Sequence, residues 1–201
     1  MRVILVDYGA GNLPSVERAL RRLGAETERT TSPESLRTAR TIVLPGVGHF
    51  AALMRTLEQR ALVAPLCEAL RNGTPFLGIC LGLQALYHAS EEAPNIPGLG
   101  LLEGRIQSLP RTAKLPHMGW NQLRRSRPSV LLRGVASDAH FYFAHSYAAL
   151  ELNPHAAAWC EHAVSFVAVL ECGNMLAVQF HPEKSGEAGM QVLRNFLEQA
   201  Q

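Results

Sequence analysis

The four cysteines, at positions 67, 80, 160 and 172, include no CxxC pair. That spacing argues against a metal knuckle or a disulfide framework and for reduced thiols. The eight histidines show no close ligand spacing, so no metal site is expected, and nothing calls for a cofactor. No run of five basic residues occurs; Arg124, Arg125 and Arg127 make the densest basic spot, and the net charge is only +2. Neither nucleic acid nor an anionic membrane is indicated as a partner. No stretch approaches membrane-span length, and the apolar run Val3–Val6 is too short for the core of an export signal, so a cytoplasmic location is expected. Internal repeats, low-complexity segments and a dividing linker are also missing. The 201 residues, 47% of them hydrophobic, are therefore read as one domain, 1–201, with a sizeable core.

What is there is organised around Gly78-Ile79-Cys80-Leu81-Gly82. A short apolar run, Thr74 to Leu77, precedes it and reads as a buried strand. Leu83 to Ala89 follows and reads as the first turns of a helix. A lone nucleophile between glycines at −2 and +2, at a strand-to-helix turn, is the thiol form of a nucleophile elbow. Side chains at 78 and 82 would collide with neighbouring backbone, and the turn lifts the sulfur out of the sheet. The start of a helix also favours a thiolate. The plainer alternative is one more buried cysteine.

The first ninety residues alternate strand and helix. Strands are expected at 2–6, 26–30, 41–44 and 75–79. Helices are expected from about Pro14 to Gly24, over 50–58 and over 61–72, with Pro65 a start or a kink in the last. This alternation predicts an α/β fold: a doubly wound, mostly parallel sheet with helices on both faces. Such sheets place their sites beyond the carboxyl ends of the strands, where Gly9–Asn12, Gly46–Gly48 and Cys80 all fall. The first of these loops lacks the full dinucleotide and phosphate-loop patterns and reads as a tight turn. After residue 93 prolines and glycines break the pattern. Strands are expected at 103–109, 141–147, 164–171 and 175–180, with Gly173-Asn174 a hairpin turn, as an antiparallel extension of the same sheet in the C-terminal half. A helix over 187–201 closes the chain.

A catalytic thiol needs a base, and the base needs an acid to hold its tautomer. His181 stands at the end of the last expected strand, followed by Pro182 and Glu183, whose carboxylate can reach back to the imidazole. The other seven histidines have poor contexts. The expected order is Cys80, His181, Glu183. Acyl transfer also needs oxyanion donors. The amide of Leu81 follows the nucleophile, and the Val47–Gly48 segment lies at a neighbouring strand end. The alternative for Pro45–Gly48 is a plain tight turn. A glycine on each side of Val47 gives its peptide freedom to rotate, a possible switch.

GICLGLQ (78–84) with QFHPEKSG (179–186) resembles the class I, or triad, glutamine amidotransferases. DYGAGNL (7–13), PGVGHF (45–50), PHMGWN (116–121), FAHSY (143–147) and GMQVLRNF (189–196) narrow the resemblance to the glutaminase subunits of imidazole glycerol phosphate synthases, from histidine biosynthesis. The match runs in order over nearly the whole chain. It implies attack by Cys80 on the side-chain amide of L-glutamine, a glutamyl thioester, proton transfer through His181, and Glu183 as its orienter. It implies oxyanion amides from Leu81 and Val47–Gly48. Gln84 and Glu92 would hold the glutamine head group, and the backbone of His145, Ser146 and Tyr147 would line the pocket. It implies a heterodimer with a (β/α)8 synthase (cyclase) subunit that forms imidazole glycerol phosphate and an aminoimidazole carboxamide ribotide. Trp120, Tyr142 and Lys184 fall where the family contacts that partner; core packing is the alternative for the two aromatics. His49 and Leu83 depart from the usual pattern. The competing readings are the glutaminase of another class I amidotransferase, a cysteine-elbow hydrolase of the same architecture, and a non-catalytic binding subunit.

Overall fold

A computed structural model describes residues 1–201 apart from Gly11 and Leu152. The tight turn expected at Gly9–Asn12 therefore lies partly outside the described residues. The chain runs through β1 (Arg2–Val6), α1 (Leu13–Arg22), β2 (Glu26–Thr30), α2 (Pro33–Arg37), β3 (Ile42–Gly46), α3 (Phe50–Gln59), α4 (Val63–Arg71), β4 (Phe76–Cys80) and α5 (Leu81–Gln84). It continues through β5 (Tyr87–Ser90), β6 (Leu102–Ser108), β7 (His117–Gln122), β8 (Arg124–Arg125), β9 (His140–His145) and β10 (Tyr147–Ala148). It ends with β11 (Ala156–His162), β12 (Val164–Cys172), β13 (Met175–Val178), a 3-10 turn (Pro182–Lys184) and α6 (Gly186–Gln199).

The main sheet has the order β2-β1-β3-β4-β13-β12-β11-β8. Its first five strands are parallel and the rest antiparallel. Alternate residues of β1 enter two separate cores. Val3 and Leu5 pack with α1 and α6 on one face, while Ile4 and Val6 pack with α3 and α4 on the other. A strand covered on both faces must be apolar at every position, which is why β1 reads as an unbroken apolar run. Gly24, at φ +86°, ends α1. Gly173, at φ +58°, takes the first central position of the two-residue turn between β12 and β13.

Several expectations are corrected. The helix expected over 83–89 is a single turn, α5, and Tyr87–Ser90 is a strand paired in parallel with β6. Gly98 allows this: its backbone lies so close to Tyr87 that a Cβ there would sit 2.0 Å from the Tyr87 carbonyl oxygen. The antiparallel extension of the main sheet is β12, β11 and β8. The strands expected at 103–109 and 141–147 instead form two small sheets, β10-β6-β5 and β7-β9. The third and fourth helices keep their expected places, but Ala61, at φ +54°, delays α4 to Val63 and leaves Pro65 in its first turn, where it does not kink. α2, β7, β8 and β11 were not anticipated. No helix among the described residues is long and apolar enough to cross a membrane.

Candidate active site

The elbow is built by close approach. A Cβ on Gly78 would lie 2.7 Å from the Gly82 carbonyl oxygen, one on Gly82 would lie 1.9 Å from that of Leu44, and one on Gly46 would meet the Leu81 Cβ at 2.5 Å. β4 and the following turn thus fold onto β3 with no room for a side chain. Cys80 itself is held at φ +53°, ψ −104°, a conformation an L-residue adopts only under constraint. Cys80 is 5% exposed. One turn of helix supplies little macrodipole, so the support expected from a helix N-terminus reduces to nearby free amides. The Leu81 N–H has no partner within α5.

β13 lies parallel to β4, with Val178 opposite Ile79. The next residues, Gln179 and Cys80, therefore leave the sheet side by side, and the chain then turns to bring His181 and Glu183 over the same rim. His181 is buried, and its Nδ1 lies 3.0 Å from Glu183 Oε1. Its backbone N–H donates to the Tyr142 carbonyl at 2.8 Å. Nδ1–H on the carboxylate leaves Nε2 for the sulfur. Burial opposes a charge on this ring. The negative charge and hydrogen bond of Cys80, with the bond to Glu183, outweigh it and hold the imidazole well above its ordinary pKa. His181 is thus the member of the pair that holds a proton.

A pocket of about 200 Å³ opens beside the sulfur. Val47, Gly48, Cys80, Leu81, Gln84, Glu92, His145, Ser146 and Tyr147 all line it, together with Pro116 and Ala144. Every residue expected to bind glutamine or an oxyanion is therefore brought to one cavity. A larger cavity, about 520 Å³, lies at the opposite end of the strands among Met1, Arg2, Thr38 and Arg40. Its lining contains no thiol, imidazole or carboxylate side chain, so size does not choose the site.

The Val47 amide, expected at an oxyanion, has a partner in this conformation. Its N–H donates to the Tyr8 hydroxyl at 2.8 Å, and that hydroxyl donates back to the Val47 carbonyl at 2.9 Å. Burial pushes the Tyr8 hydroxyl up to about 12, so it stays protonated and serves both bonds. In this conformation the Val47 amide is not free for an oxyanion. Gly48, beside it, sits at φ +100°. Glu92 lines the pocket, and its Oε2 accepts the Phe50 N–H at 2.7 Å, tying that wall to the start of α3. His49 caps α3, its Nδ1 accepting the Ala51 N–H, which accounts for that departure from the usual pattern. In the first loop, the Gly9 N–H bonds to Asp7 Oδ1, so that amide is engaged internally rather than presented to a phosphate.

Trp120, Tyr142 and Lys184 also meet. Trp120 faces Tyr142 across β7 and β9, their rings 6.0 Å apart, and Lys184 Nζ lies 5.5 Å from the Tyr142 ring centre. Trp120 is 56% exposed and Met118 64%, which disposes of the core-packing alternative for Trp120; Tyr142 is half-buried. The patch lies one backbone hydrogen bond from His181.

Sequence reasoning missed several polar residues of the site. Gln179 is fully buried, with Nε2 3.5 Å from Cys80 Sγ. His117, also missed, joins the expected His145 ring to ring at 3.1 Å; both are buried, and burial, followed by neighbouring histidine charge, lowers them to about 4 and about 3. Tyr8 belongs with them. The available signal was polarity out of place, as in Gln179 between Val178 and Phe180.

A family profile described as glutamine amidotransferase class-I matches residues 4–200. The imidazole glycerol phosphate synthase subunit HisH of Methanothermobacter thermautotrophicus is 48% identical over 196 residues, 98% of each chain. That of Moorella thermoacetica is 46% identical over 195 residues, 96% of this chain and 93% of the relative. Among solved structures, a crystal structure of a glutamine amidotransferase superposes with a TM-score of 0.78 at 22% identity, over 98% of both chains. The structure of PurLQS from Thermotoga maritima gives 0.76 at 20%, over 100% of this chain and 99% of that one. These structural likenesses establish the fold. The sequence matches establish the family: the chain belongs to the class-I glutamine amidotransferases, and within them to HisH, the glutaminase subunit of imidazole glycerol phosphate synthase.

Proposed function

We propose that Cys80, His181 and Glu183 hydrolyse L-glutamine as one unit, with the whole chain acting as a single glutaminase domain. The sulfur attacks the side-chain amide carbon, and its proton resides on His181. The tetrahedral oxyanion takes hydrogen bonds from Leu81 N–H and the Val47–Gly48 segment. As the C–N bond breaks, His181 protonates the departing ammonia and leaves a glutamyl thioester. Water, deprotonated by His181, attacks the thioester, releasing glutamate and the thiol. Gln84, Glu92 and the His145–Tyr147 backbone hold the glutamine.

The single observation carrying this reading is the meeting of thiol, imidazole and carboxylate at the mouth of the pocket that gathers every expected binding residue. A glutamine-like chloroketone tests it. The expected result is one covalent adduct, located on Cys80 by peptide mass spectrometry and suppressed by glutamine. An adduct elsewhere refutes the assignment.

Ammonia released into water is protonated and ceases to be a nucleophile. Its consumer therefore docks over the site, as a (β/α)8 synthase subunit in a heterodimer. The exposed Met118–Trp120 patch beside Tyr142 and Lys184 supports this surface as the docking face. We also infer gating. The Tyr8–Val47 pair supports a resting state in which one oxyanion amide is held back until the Val47–Gly48 peptide turns. The four free thiols fit a reducing compartment, the cytoplasm.

A further inference from the structure

We propose that Gln179 is a positioning residue for the nucleophile, its side-chain amide donating an N–H to the Cys80 sulfur and favouring the thiolate. The inference rests on the reading of Cys80 as nucleophile. Gln179 is completely buried on the strand-end beside Cys80, between Val178 and Phe180. Burying an amide is unfavourable unless its hydrogen bonds are made, so a residue needed only to fill this space would be apolar.

Which end of the amide faces the sulfur follows from the neighbours. The Tyr147 carbonyl can only accept, and it lies 2.7 Å from the Gln84 nitrogen. That nitrogen, a donor only, lies 3.2 Å from the Gln179 oxygen. The Gln179 nitrogen is therefore the atom 3.5 Å from Cys80 Sγ, and turning the amide over would set two N–H groups against each other. The same Tyr147 carbonyl accepts from His145 Nδ1 at 3.0 Å, whose Nε2 accepts from His117. One acceptor in the pocket wall thus sets the sense of both buried chains. A wall that shifts when the pocket fills would carry the donor on the sulfur with it.

Two titratable groups face Cys80, His181 and Tyr8, with Glu183 behind the imidazole. The substitutions at positions 179 and 84 below alter none of the three, and His181→Ala serves only as the control. The test is the pH profile of Cys80 alkylation by iodoacetamide, read peptide by peptide so that Cys67, Cys160 and Cys172 do not contribute. Loss of one hydrogen bond to a charged sulfur in Gln179→Met moves the profile up by about one pH unit, making alkylation near neutrality about tenfold slower. Gln179→Glu moves it further, because a carboxylate faces the sulfur. Gln84→Met, which frees the Gln179 amide to turn, moves it the same way by less and carries the test if position 179 tolerates no change. A profile unmoved in the folded variants overturns the proposal. His181→Ala separates the two readings. If it moves the profile while Gln179→Met does not, only the role of Gln179 fails. If neither moves it, the triad reading fails and this one with it.

Discussion

Two glycine-rich loops meet at the Cys80 rim, and they are held by different forces. The elbow is locked by steric exclusion: Gly78, Gly82 and Gly46 each lie where any side chain would strike backbone or a neighbouring Cβ. At Gly48, in the Pro45–Gly48 loop, a Cβ would meet nothing within 4 Å, and the adjacent Val47 peptide is held by two hydrogen bonds to one hydroxyl. Close packing resists change at a cost of many kcal/mol, whereas two hydrogen bonds hold by a few. Cys80 is thus a fixed point, and the Val47–Gly48 segment is the part that can move. The far pocket wall resembles the loop more than the elbow, being held by hydrogen bonds between neutral histidines.

The sharpest contrast is a methyl group placed in each loop. Gly82→Ala, with its Cβ 1.9 Å from the Leu44 oxygen, is expected to lose more than about 4 kcal/mol and leave little folded protein. Gly48→Ala has space but an unfavourable φ, so it is expected to stay folded and lose about 1–3 kcal/mol. Denaturant unfolding of both variants checks this, and equal losses would erase the distinction.

Acid should loosen the histidine wall and spare the elbow. His117 and His145 are neutral when folded, with pKa values lowered to about 4 and about 3. The unfolded chain protonates both near pH 6.5. The unfolded state therefore binds more protons as pH falls, and stability is lost from about pH 6.5 down toward about 4 for His117 and about 3 for His145. At about pH 5 the loss expected is roughly 2 kcal/mol for each ring. His117→Gln should flatten part of that slope in unfolding curves taken at about pH 6.5 and about pH 5; an unchanged slope would mean that the ring is not held neutral. The raised pKa of His181 acts in the opposite sense, contributing stability that is lost as pH rises above neutrality.

The smallest change bears most on function. Tyr8→Phe removes both bonds to Val47 and keeps the ring buried. The two hydrogen bonds contribute about 1 kcal/mol each, so partner-free glutaminase turnover is expected to rise by up to roughly thirtyfold, with the partner-activated rate little altered. Unchanged basal turnover would mean that the tyrosine does not hold the loop.

The parallel half of the fold was legible because it is governed by local rules: apolar runs between glycine turns, and amphipathic helices. The elbow was legible because only glycine fits at 78 and 82. The helix expected after Cys80 failed because pairing of Tyr87–Ser90 with β6, near Gly98, outweighs local helical spacing. β11 was missed since Ala156, Ala157 and Ala158 carry little strand preference. Its place comes from pairing with β12. Cys80, His181 and Glu183 stood out by motif. Tyr8, His117 and Gln179 did not, because their partners lie from 28 to 99 residues away and only the fold brings them together.

The most direct test of the central claim pairs Cys80→Ala with the synthase partner and measures glutamine consumption and synthase turnover on ammonium salts. The account predicts no glutamine consumption and full ammonium-driven turnover; glutamine still consumed by the alanine variant would contradict it.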